Sequence, residues 1–265
     1  MDPILIPGKV ALVTGSTRGL GRAIARRLAL GGADVVLHDI DPSQASTYGE
    51  AESPRDAVAE IESLGRRCIL AFGDLRYRKS ADEIARTALS ELGRVDVLVN
   101  CAGGDIGVSG GKPEPNDCVE IPDEDLQVVL ERNLTSAMHM SRALCPHMIE
   151  RGTGSIINIS SGAGMVACAS GSIYAVAKAG LIHWTRCLAL QLRPHGINVN
   201  TVSPGETRTA RFLASRQVPA ERLADQGRLT RLGEPDDVAK VCLFLASDLA
   251  GFVSGQNIAV NGGTR

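Results

Sequence analysis

The stretch KVALVTGSTRGLGRAIARRLALGG, residues 9 to 32, decides the fold. It opens as a short run of β-branched and apolar residues that stops at Gly15, and apolar residues then recur at a spacing of four: Leu20, Ile24 and Leu28. This spacing is typical of one apolar face of a helix, and the two glycines that close the stretch are typical of a helix end. The pattern predicts a buried strand, a glycine-rich turn and an amphipathic helix.

The same alternation of strand and helix continues along the chain. Further strands are predicted at 33–39, 67–74, 95–103, 155–161, 196–205 and 257–263. Each is apolar along its length rather than alternating, which is typical of a parallel sheet covered by helices on both faces. We therefore predict an α/β protein with one domain over residues 1–265, a Rossmann-type doubly wound fold with a seven-stranded parallel sheet flanked by helices.

Capping residues indicate where two of the helices begin. Ser53 is predicted to cap the second helix, and Pro54 suits the first turn of that helix. Ser80 and Glu83 have the spacing of a capping box at the start of a helix over residues 80–93.

The charge and hydropathy of the chain exclude several classes of protein. With 28 basic and 30 acidic residues the net charge is -2, and the basic residues are scattered, so neither nucleic acid nor an anionic membrane is an expected partner. The sequence has no uninterrupted run of apolar residues long enough to span a membrane, and the N-terminal MDPILIPGK does not match a signal peptide. We expect a cytoplasmic protein whose partner is a small-molecule substrate.

The cysteines and histidines argue against a metal site. The seven cysteines are an odd number, lie far apart and form no CxxC pair, so neither a disulfide framework nor a zinc site is expected. The five histidines are isolated from cysteines and carboxylates at ligand spacing. We predict reduced thiols and no metal.

The turn TGSTRGLG, Thr14 to Gly21, favours an anionic ligand. Its glycines permit a tight turn and the close approach of a ligand, and the N–H groups and positive end of the following helix attract a pyrophosphate. A plain strand-to-helix loop is the alternative, because a glycine cluster alone is weak evidence. The position directly after the first strand favours a dinucleotide.

Two charged residues bear on which dinucleotide would bind. Asp39 ends the second strand, where a carboxylate can accept hydrogen bonds from the adenosine ribose hydroxyls. A 2′-phosphate about 4 Å from Asp39 would be repelled by roughly 4 kcal/mol per charge pair at an effective dielectric of about 20, which favours NAD over NADP. Arg18 argues the other way, since its guanidinium could pair with a 2′-phosphate, although it could also pair with Asp39 or stay solvated.

The segment IYAVAKAG, residues 173–180, places Tyr174 and Lys178 one helical turn apart, on the same face. An ammonium about 4 Å from a phenol would stabilise the phenolate by about 4 kcal/mol at an effective dielectric of about 20, which is roughly three pK units. We therefore predict that the pKa of Tyr174 is lowered toward neutrality and that Tyr174 is a general acid and base. In an isolated pair, packing of the tyrosine with the lysine extended to water would be the commoner arrangement.

Further motifs decide between these alternatives. TGSTRGLG resembles a TGxxxGxG cofactor loop, NCAG at residues 100–103 resembles an NNAG signature with Cys101 in place of its second Asn, and SPGETRT at 203–209 resembles a PG motif. Ser161 lies 13 residues before Tyr174. From about Gly8 to Gly263 the chain resembles the short-chain dehydrogenase/reductase family in its compact, classical form. The resemblance implies an oxidoreductase that transfers a hydride between a nicotinamide cofactor and a secondary alcohol or ketone.

The resemblance also implies a role for each matching residue. Tyr174 exchanges a proton with the substrate oxygen, and Lys178 holds the nicotinamide ribose and lowers the tyrosine pKa. Ser161 hydrogen-bonds the same substrate oxygen, as a carbonyl that gains negative charge requires. Asn133 resembles the residue that holds a water linking Lys178 to solvent, although the usual following glycine is Ser136 here.

The cofactor contacts follow from the same resemblance. Asp74 and Leu75 match the residues beside the adenine ring, and the segment after Pro204 matches the nicotinamide end. The expected cofactor-binding residues are Gly15, Thr17, Arg18, Gly19, Leu20, Gly21, Asp39, Ile40, Asp74, Leu75, Asn100, Ala102, Gly103, Tyr174, Lys178, Pro204, Gly205, Thr207 and Thr209.

Two other functions are weighed against this one. GVSGG, residues 107–111, fits the GxSxG pattern of serine hydrolases, but a nucleophile elbow needs a strand directly before it and a helix directly after, and this match lies in a predicted loop. A sensor or scaffold that binds the dinucleotide without turnover is the second alternative, since one fold hosts many activities. A sensor has no need for four catalytic groups.

The sequence leaves the substrate open between a secondary alcohol, a polyol, a sugar derivative and a 3-oxoacyl group. Residues 206–228 resemble the family's substrate lid and carry Arg208, Arg211 and Arg216 beside Glu206. One of these arginines is a candidate for binding a carboxylate or phosphate on the substrate, although a solvated surface arginine is the commoner case.

Two segments rich in Gly, Pro, Ser and acidic residues, 40–53 and 104–121, are predicted to be long loops, and the second is expected to border the substrate pocket. The resemblance implies a homotetramer in which the helices that carry Asn133 and Tyr174 pack against their copies. Leu181, Leu188 and Leu192 have a spacing compatible with such packing, and an internal core would use the same spacing.

Overall fold

Seven parallel strands form one sheet in the computed structural model of this chain, which describes residues 4–224 and 229–264. The strands occur in the sheet in the order β3-β2-β1-β4-β5-β6-β7, so the predicted doubly wound parallel sheet is confirmed. Their bounds are β1 Val10–Thr14, β2 Asp34–Asp39, β3 Cys68–Phe72, β4 Val97–Asn100, β5 Gly154–Ile159, β6 Ile197–Pro204 and β7 Asn257–Val260.

Helices connect the strands and cover both faces of the sheet. They are α1 Gly19–Leu30, α2 Pro54–Ser63, α3 Arg78–Leu92, α4 Asp123–Leu130, α5 Ser136–Arg151, α6 Ser172–Leu192, α7 Ala210–Ala214, α8 Ala220–Ala224 and α9 Pro235–Ala246. A π-helical turn, Glu131–Thr135, joins α4 to α5 without a break.

The sheet is buried between two apolar layers. Ile24 of α1 and Leu243 of α9 pack on one face, and Met140 of α5 and Leu192 of α6 pack on the other. Strand residues alternate between the layers, as Val35 and Val36 do. Both faces of the sheet are therefore covered, which is why the strands are apolar along their length.

The direction of the winding reverses beside β1. This strand pairs with β2 on one side and with β4 on the other. Ala11, for example, lies opposite Val35 of β2 and Val97 of β4. In such sheets the crevice at the carboxyl ends of the strands, where the strand order reverses, is the usual ligand site. A ligand site is therefore expected at the residues that follow Thr14 at the end of β1 and Asn100 at the end of β4.

The sequence places one helix start correctly and another incorrectly. Ser53 caps α2, accepting from the backbone N–H of Arg55, with Pro54 in the first turn as predicted. The capping box predicted at Ser80 is wrong. Its backbone N–H already donates to the carbonyl of Tyr77, so α3 begins two residues earlier and has no side-chain cap.

The two predicted loops are largely irregular. Residues 40–53 contain one short 3-10 helix, Pro42–Ser46, and residues 104–121 contain neither helix nor strand. Of the predicted lid, α7 and α8 are helical, and residues 225–228 lie outside the described residues.

Candidate active site

A cavity of about 1810 Å³ opens at the carboxyl ends of the strands. Pockets for one drug-sized ligand measure about 300 to 1,000 Å³, so this cavity has room for a dinucleotide and a small substrate together. Most of the predicted site residues line it: Gly15, Arg18, Gly19, Leu20, Gly21, Asp39, Ile40, Asp74, Leu75, Ala102, Gly103, Ser161, Tyr174, Lys178, Pro204, Gly205, Thr207 and Thr209. Thr17, Asn100 and Asn133 are buried and do not line the cavity.

The glycine-rich turn has the shape that a pyrophosphate requires. Gly15 and Gly19 have positive φ, and a side chain on Gly21 would collide with the backbone of Gly15. The turn therefore packs directly against the first turn of α1, where Gly19, Leu20 and Gly21 at the positive end of the helix line the cavity. This close packing fits the dinucleotide that the sequence predicts.

Asp39 is held in a fixed position at the end of β2. Thr17 Oγ1 donates to its Oδ2 at 2.5 Å, and the backbone N–H of Ile40 donates to its Oδ1 at 3.0 Å. Thr17 therefore acts on the cavity through Asp39. The carboxylate is mostly buried but lines the cavity, so it can accept hydrogen bonds from ribose hydroxyls there.

Arg18 does not form an ion pair with Asp39. Its guanidinium lies over the ring of Tyr48 at 4.8 Å from the ring centroid. Burial lowers the pKa of Arg18, and the charge of Arg211 lowers it further. The sequence did not identify Tyr48 as a partner of Arg18, because an irregular loop carries no periodic signal.

Glu50, in the same loop, occupies the anion position at the start of α1. Its Oε2 accepts from the backbone N–H of Gly19 at 2.9 Å, and its Oε1 accepts from the backbone N–H of Ala210 at 3.3 Å. A carboxylate is stabilised at a helix N-terminus for the same reason as a phosphate. The side chain bridges the predicted phosphate site and the lid, and nothing in the sequence pattern identified it.

Asp74 and Leu75 lie where an adenine ring is expected. Both Nε and Nη2 of Arg76 donate to Oδ2 of Asp74, at 2.8 and 2.6 Å. Burial acts to raise the pKa of Asp74, but the hydrogen bonds and charge of Arg76 outweigh it and hold that pKa below its usual range. Leu75 is buried and offers an apolar surface beside this ion pair.

Asn100, predicted to bind the cofactor, connects secondary structure elements. Its Nδ2 donates to Ser141 Oγ of α5 at 3.1 Å and to Asn158 Oδ1 of β5 at 2.8 Å. The side chain thus fixes the end of β4, and its effect on a ligand is exerted through the backbone that follows. Burial raises the pKa of the neighbouring Cys101 thiol to about 11, so this replacement for asparagine is neutral.

Asn133 lies in the π-helical turn between α4 and α5 and is buried. Its Oδ1 accepts from the backbone N–H of Gly104, and its Nδ2 donates to the carbonyls of Gly104 and Val129, each at 2.8 Å. The amide therefore holds the segment after β4 against the helix. The predicted role of Asn133 toward a water and Lys178 stays a prediction.

Tyr174 and Lys178 share one face of α6, as predicted, and the lysine Nζ lies 5.6 Å from the centre of the tyrosine ring. Lys178 is buried, and its Nζ donates to the carbonyl of Ile159 at 2.8 Å. Burial lowers the pKa of Lys178 to about 8. The ammonium is thus held at the carboxyl end of β5, over the ring of Tyr174.

The predicted lowering of the Tyr174 pKa is wrong for the chain by itself. Burial raises the pKa, although an interaction with Ser161 and the charge of Arg211 act to lower it. The sequence argument placed the ammonium beside the phenol oxygen, whereas Lys178 faces the ring and hydrogen-bonds the backbone. Desolvation therefore outweighs the nearby positive charges.

The far wall of the cavity comes from the segment after β6. Gly205 packs against Asn261, and Thr209 caps α7 by accepting from the backbone N–H of Phe212 at 3.2 Å. Arg211, on α7, reaches across the cavity, and its Nη1 donates to the carbonyl of Gly103 at 3.0 Å. The lid is thus in contact with the segment that follows β4.

The GVSGG pattern at residues 107–111 does not form the nucleophile elbow of a serine hydrolase. Ser109 is exposed in a loop, and its hydroxyl accepts from the backbone N–H of Gly111 at 3.4 Å. Neither a strand before it nor a helix after it is present, so this interpretation is wrong.

Within residues 4–224 and 229–264, no cluster of His, Cys, Asp or Glu has the arrangement of a metal site. Across the same residues, none of the helices is both long enough and apolar enough to cross a membrane.

Comparison with known proteins identifies the class. A family model described as enoyl-(acyl carrier protein) reductase matches residues 15–265. The chain belongs to the short-chain dehydrogenase/reductase family, and it is an NAD(P)-dependent oxidoreductase that acts on CH–OH groups.

Several characterised relatives cover nearly the whole chain. A cyclohexanol dehydrogenase of Rhodococcus sp. (strain TK6) is 37% identical, over 99% of this chain and 98% of its own length. A 7alpha-hydroxysteroid dehydrogenase of Escherichia coli (strain K12) is 34% identical, over 99% and 96%. A solved 7alpha-hydroxysteroid dehydrogenase, in complex with NADH and 7-oxo glycochenodeoxycholic acid, has a TM-score of 0.85 at 32% identity, over 99% of this chain and 96% of that one. These relatives give no support to the sensor alternative.

Proposed function

We propose that this enzyme uses Tyr174 as its general acid and base to interconvert a secondary alcohol and a ketone, with NAD as the preferred cofactor. The observation that carries the proposal is the placement of Ser161, Tyr174 and Lys178 on the wall of one cavity that also contains the glycine-rich turn. The nicotinamide supplies or accepts the hydride, and the protein residues manage the proton and the developing charge.

Each catalytic side chain has a distinct part in this proposal. In ketone reduction Tyr174 donates its hydroxyl proton to the substrate oxygen, and in alcohol oxidation the phenolate accepts that proton. The hydroxyl of Ser161 donates a hydrogen bond to the same oxygen while negative charge develops on it. Lys178 contributes its positive charge beneath the tyrosine ring and would hold the nicotinamide ribose, while Asn133 fixes the backbone at Gly104.

The preference for NAD is supported by the fixed carboxylate of Asp39. Its two hydrogen bonds prevent it from turning away from a 2′-phosphate, which it would repel. Arg18, the residue that argued for NADP, lies over Tyr48 instead. The related steroid dehydrogenase of known structure contains NADH, which agrees with this choice.

Titration with NADH and NADPH, followed by turnover against a panel of secondary alcohols, polyols and 3-oxo esters, tests the proposal. Tyr174→Phe is expected to lower kcat by about 10²- to 10⁴-fold, the usual contribution of a positioned acid or base, while the Kd for NADH changes less than twofold. Tyr77→Phe, at an exposed tyrosine, is the matched control and should leave kcat unchanged. Full activity in Tyr174→Phe would contradict the assignment.

We also propose a homotetramer in the cytoplasm. On α6, Leu181 and Leu192 are buried in the core, whereas Val176 and Leu190 are exposed apolar side chains that a second copy could cover. All seven cysteines are free, which agrees with a reducing compartment. Light scattering on the purified protein would measure the mass of the assembly directly.

A further inference from the structure

Arg211 is a lid arginine whose side chain lines the same cavity as Tyr174 and Lys178. Its Nη1 donates to the carbonyl of Gly103, and a side chain on Gly104 would collide with its guanidinium. These two glycines follow β4, and Asn133 fixes the second of them. The guanidinium is therefore held at the end of the cavity that contains Tyr174 and Lys178.

The other lid arginines among the described residues are paired within the protein. Arg208 forms an ion pair with Glu234, and Arg216 and Arg222 both pair with Glu206. For Arg211, the described residues provide a backbone carbonyl but no carboxylate partner. Among the three arginines that the sequence singled out, the structure leaves one with its charge available to a ligand.

The charge of Arg211 acts on the catalytic groups themselves. It acts to lower the pKa of Tyr174, although burial raises that pKa overall, and it contributes to the lowered pKa of Lys178. Arg211 lines the same cavity as Tyr174 and Lys178, so a substrate bound there would lie within reach of its charge. Arginine presents two parallel N–H donors that match a carboxylate, and such a pair is stronger in a partly desolvated pocket than in water.

We propose that Arg211 binds a carboxylate of the substrate, so that the enzyme acts on a hydroxy acid and the corresponding keto acid. This inference rests on the proposed function, because it places the reacting carbon at Tyr174. It goes further in selecting one class from the alcohols, polyols and acyl groups that the sequence left open.

Asp105 limits the kind of acid that fits. Its Oδ2 accepts from Asn116 Nδ2 at 2.8 Å, while its buried Oδ1 has no hydrogen-bond partner among the described residues. Its negative charge acts on Tyr174 in the direction opposite to that of Arg211. Asp105 lines the cavity, so a second carboxylate on the substrate would be repelled here. The matching ligand is a monocarboxylate.

Matched pairs of acids and neutral alcohols test the proposal. The wild-type enzyme is assayed with D-gluconate against sorbitol and with 3-hydroxybutyrate against 2-butanol, each with NAD. Losing a charge-assisted hydrogen-bonded pair is expected to raise the KM of Arg211→Ala for the acids by about 10- to 100-fold, with the neutral alcohols within twofold. Arg216→Ala, which removes a lid arginine paired with Glu206, is the control and should change neither.

Binding measurements make the outcome independent of turnover. Calorimetry of D-gluconate with the wild-type enzyme–NADH complex should show binding that Arg211→Ala weakens by a similar factor. Equal effects on acids and alcohols, or failure of both acids to bind, would overturn the inference. A weaker Kd for NADH in Arg211→Ala would assign the guanidinium to a cofactor phosphate and also overturn it. Failure of the wild-type enzyme to bind NADH and NADPH would contradict the proposed function itself.

Discussion

The side-chain amide of Asn133 forms two hydrogen bonds with the backbone of Gly104, one accepted from its N–H and one donated to its carbonyl, both 2.8 Å long. These two hydrogen bonds resemble those between the backbones of two paired strands, but here they join a side chain to a loop. They explain how an irregular segment after β4 is held in place at the active site.

Replacing Asn133 should therefore cost stability as well as activity. In Asn133→Ala the buried N–H of Gly104 loses its partner, whereas its carbonyl keeps the hydrogen bond from the N–H of Ile106. One unsatisfied buried group costs about 1 to 3 kcal/mol, so we expect the free energy of unfolding to fall by about that amount. Urea denaturation measures this change. Gln127→Ala, at an exposed position in α4, should stay within about 0.5 kcal/mol of the wild type. An unchanged midpoint for Asn133→Ala would show that the loop is held by other contacts.

Asp39 should determine the choice of cofactor. We expect Asp39→Asn to shift the ratio of the Kd values for NADPH and NADH by at least about tenfold toward NADPH, because tenfold corresponds to about 1.4 kcal/mol, a fraction of the charge repulsion removed. Fluorescence titration with both cofactors provides the measurement. Asp34→Asn alters a carboxylate at the opposite end of β2 and should leave the ratio unchanged. The same ratio in both variants would mean that another group discriminates.

Glu50 should oppose cofactor binding. Its carboxylate already accepts from Gly19 at the N-terminus of α1, where a pyrophosphate would need the same donor. An interaction of this kind contributes about 0.3 to 1 kcal/mol, so Glu50→Gln should tighten the Kd for NADH by about two- to fivefold. Glu52→Gln, an exposed neighbour, is the control. Weaker NADH binding in Glu50→Gln would show that the carboxylate assists the cofactor instead.

Lys178 should give the protein a stability that rises with pH. Its pKa is about 8 in the folded chain, against 10.5 for the ordinary side chain, so between these values the unfolded chain holds a proton that the folded chain has released. The free energy of unfolding then increases by about 1.4 kcal/mol per pH unit across that window and shows no such increase below pH 8. Urea denaturation of wild type and Lys178→Met at pH 7, 8.5 and 10 isolates this contribution. A constant difference between the two proteins would contradict it, and Lys240→Met, an exposed lysine, should show no such trend.

The sequence predicted the secondary structure around the site better than the contacts between its side chains. The strands and the shared helix face of Tyr174 and Lys178 could be predicted because they depend on the spacing of residues that are close together in the sequence. The direction of the Tyr174 pKa was missed because desolvation depends on what covers the phenol, and that is a property of the packed structure. Glu50 was missed because its partners, Gly19 and Ala210, are far away in sequence and its loop has no pattern.

The position of β1 inside the sheet, between β2 and β4, has a consequence for the synthesis of the chain on the ribosome. Its edge toward β4 stays unpaired until about 90 further residues have been made, which at typical rates of synthesis takes on the order of ten seconds. During that interval the hydrogen-bonding groups of Val10 and Leu12, which face β4, are exposed next to apolar side chains, a state prone to association between nascent chains. The arrangement that creates the cofactor crevice therefore also makes early synthesis the stage at which this protein depends most on protection by chaperones.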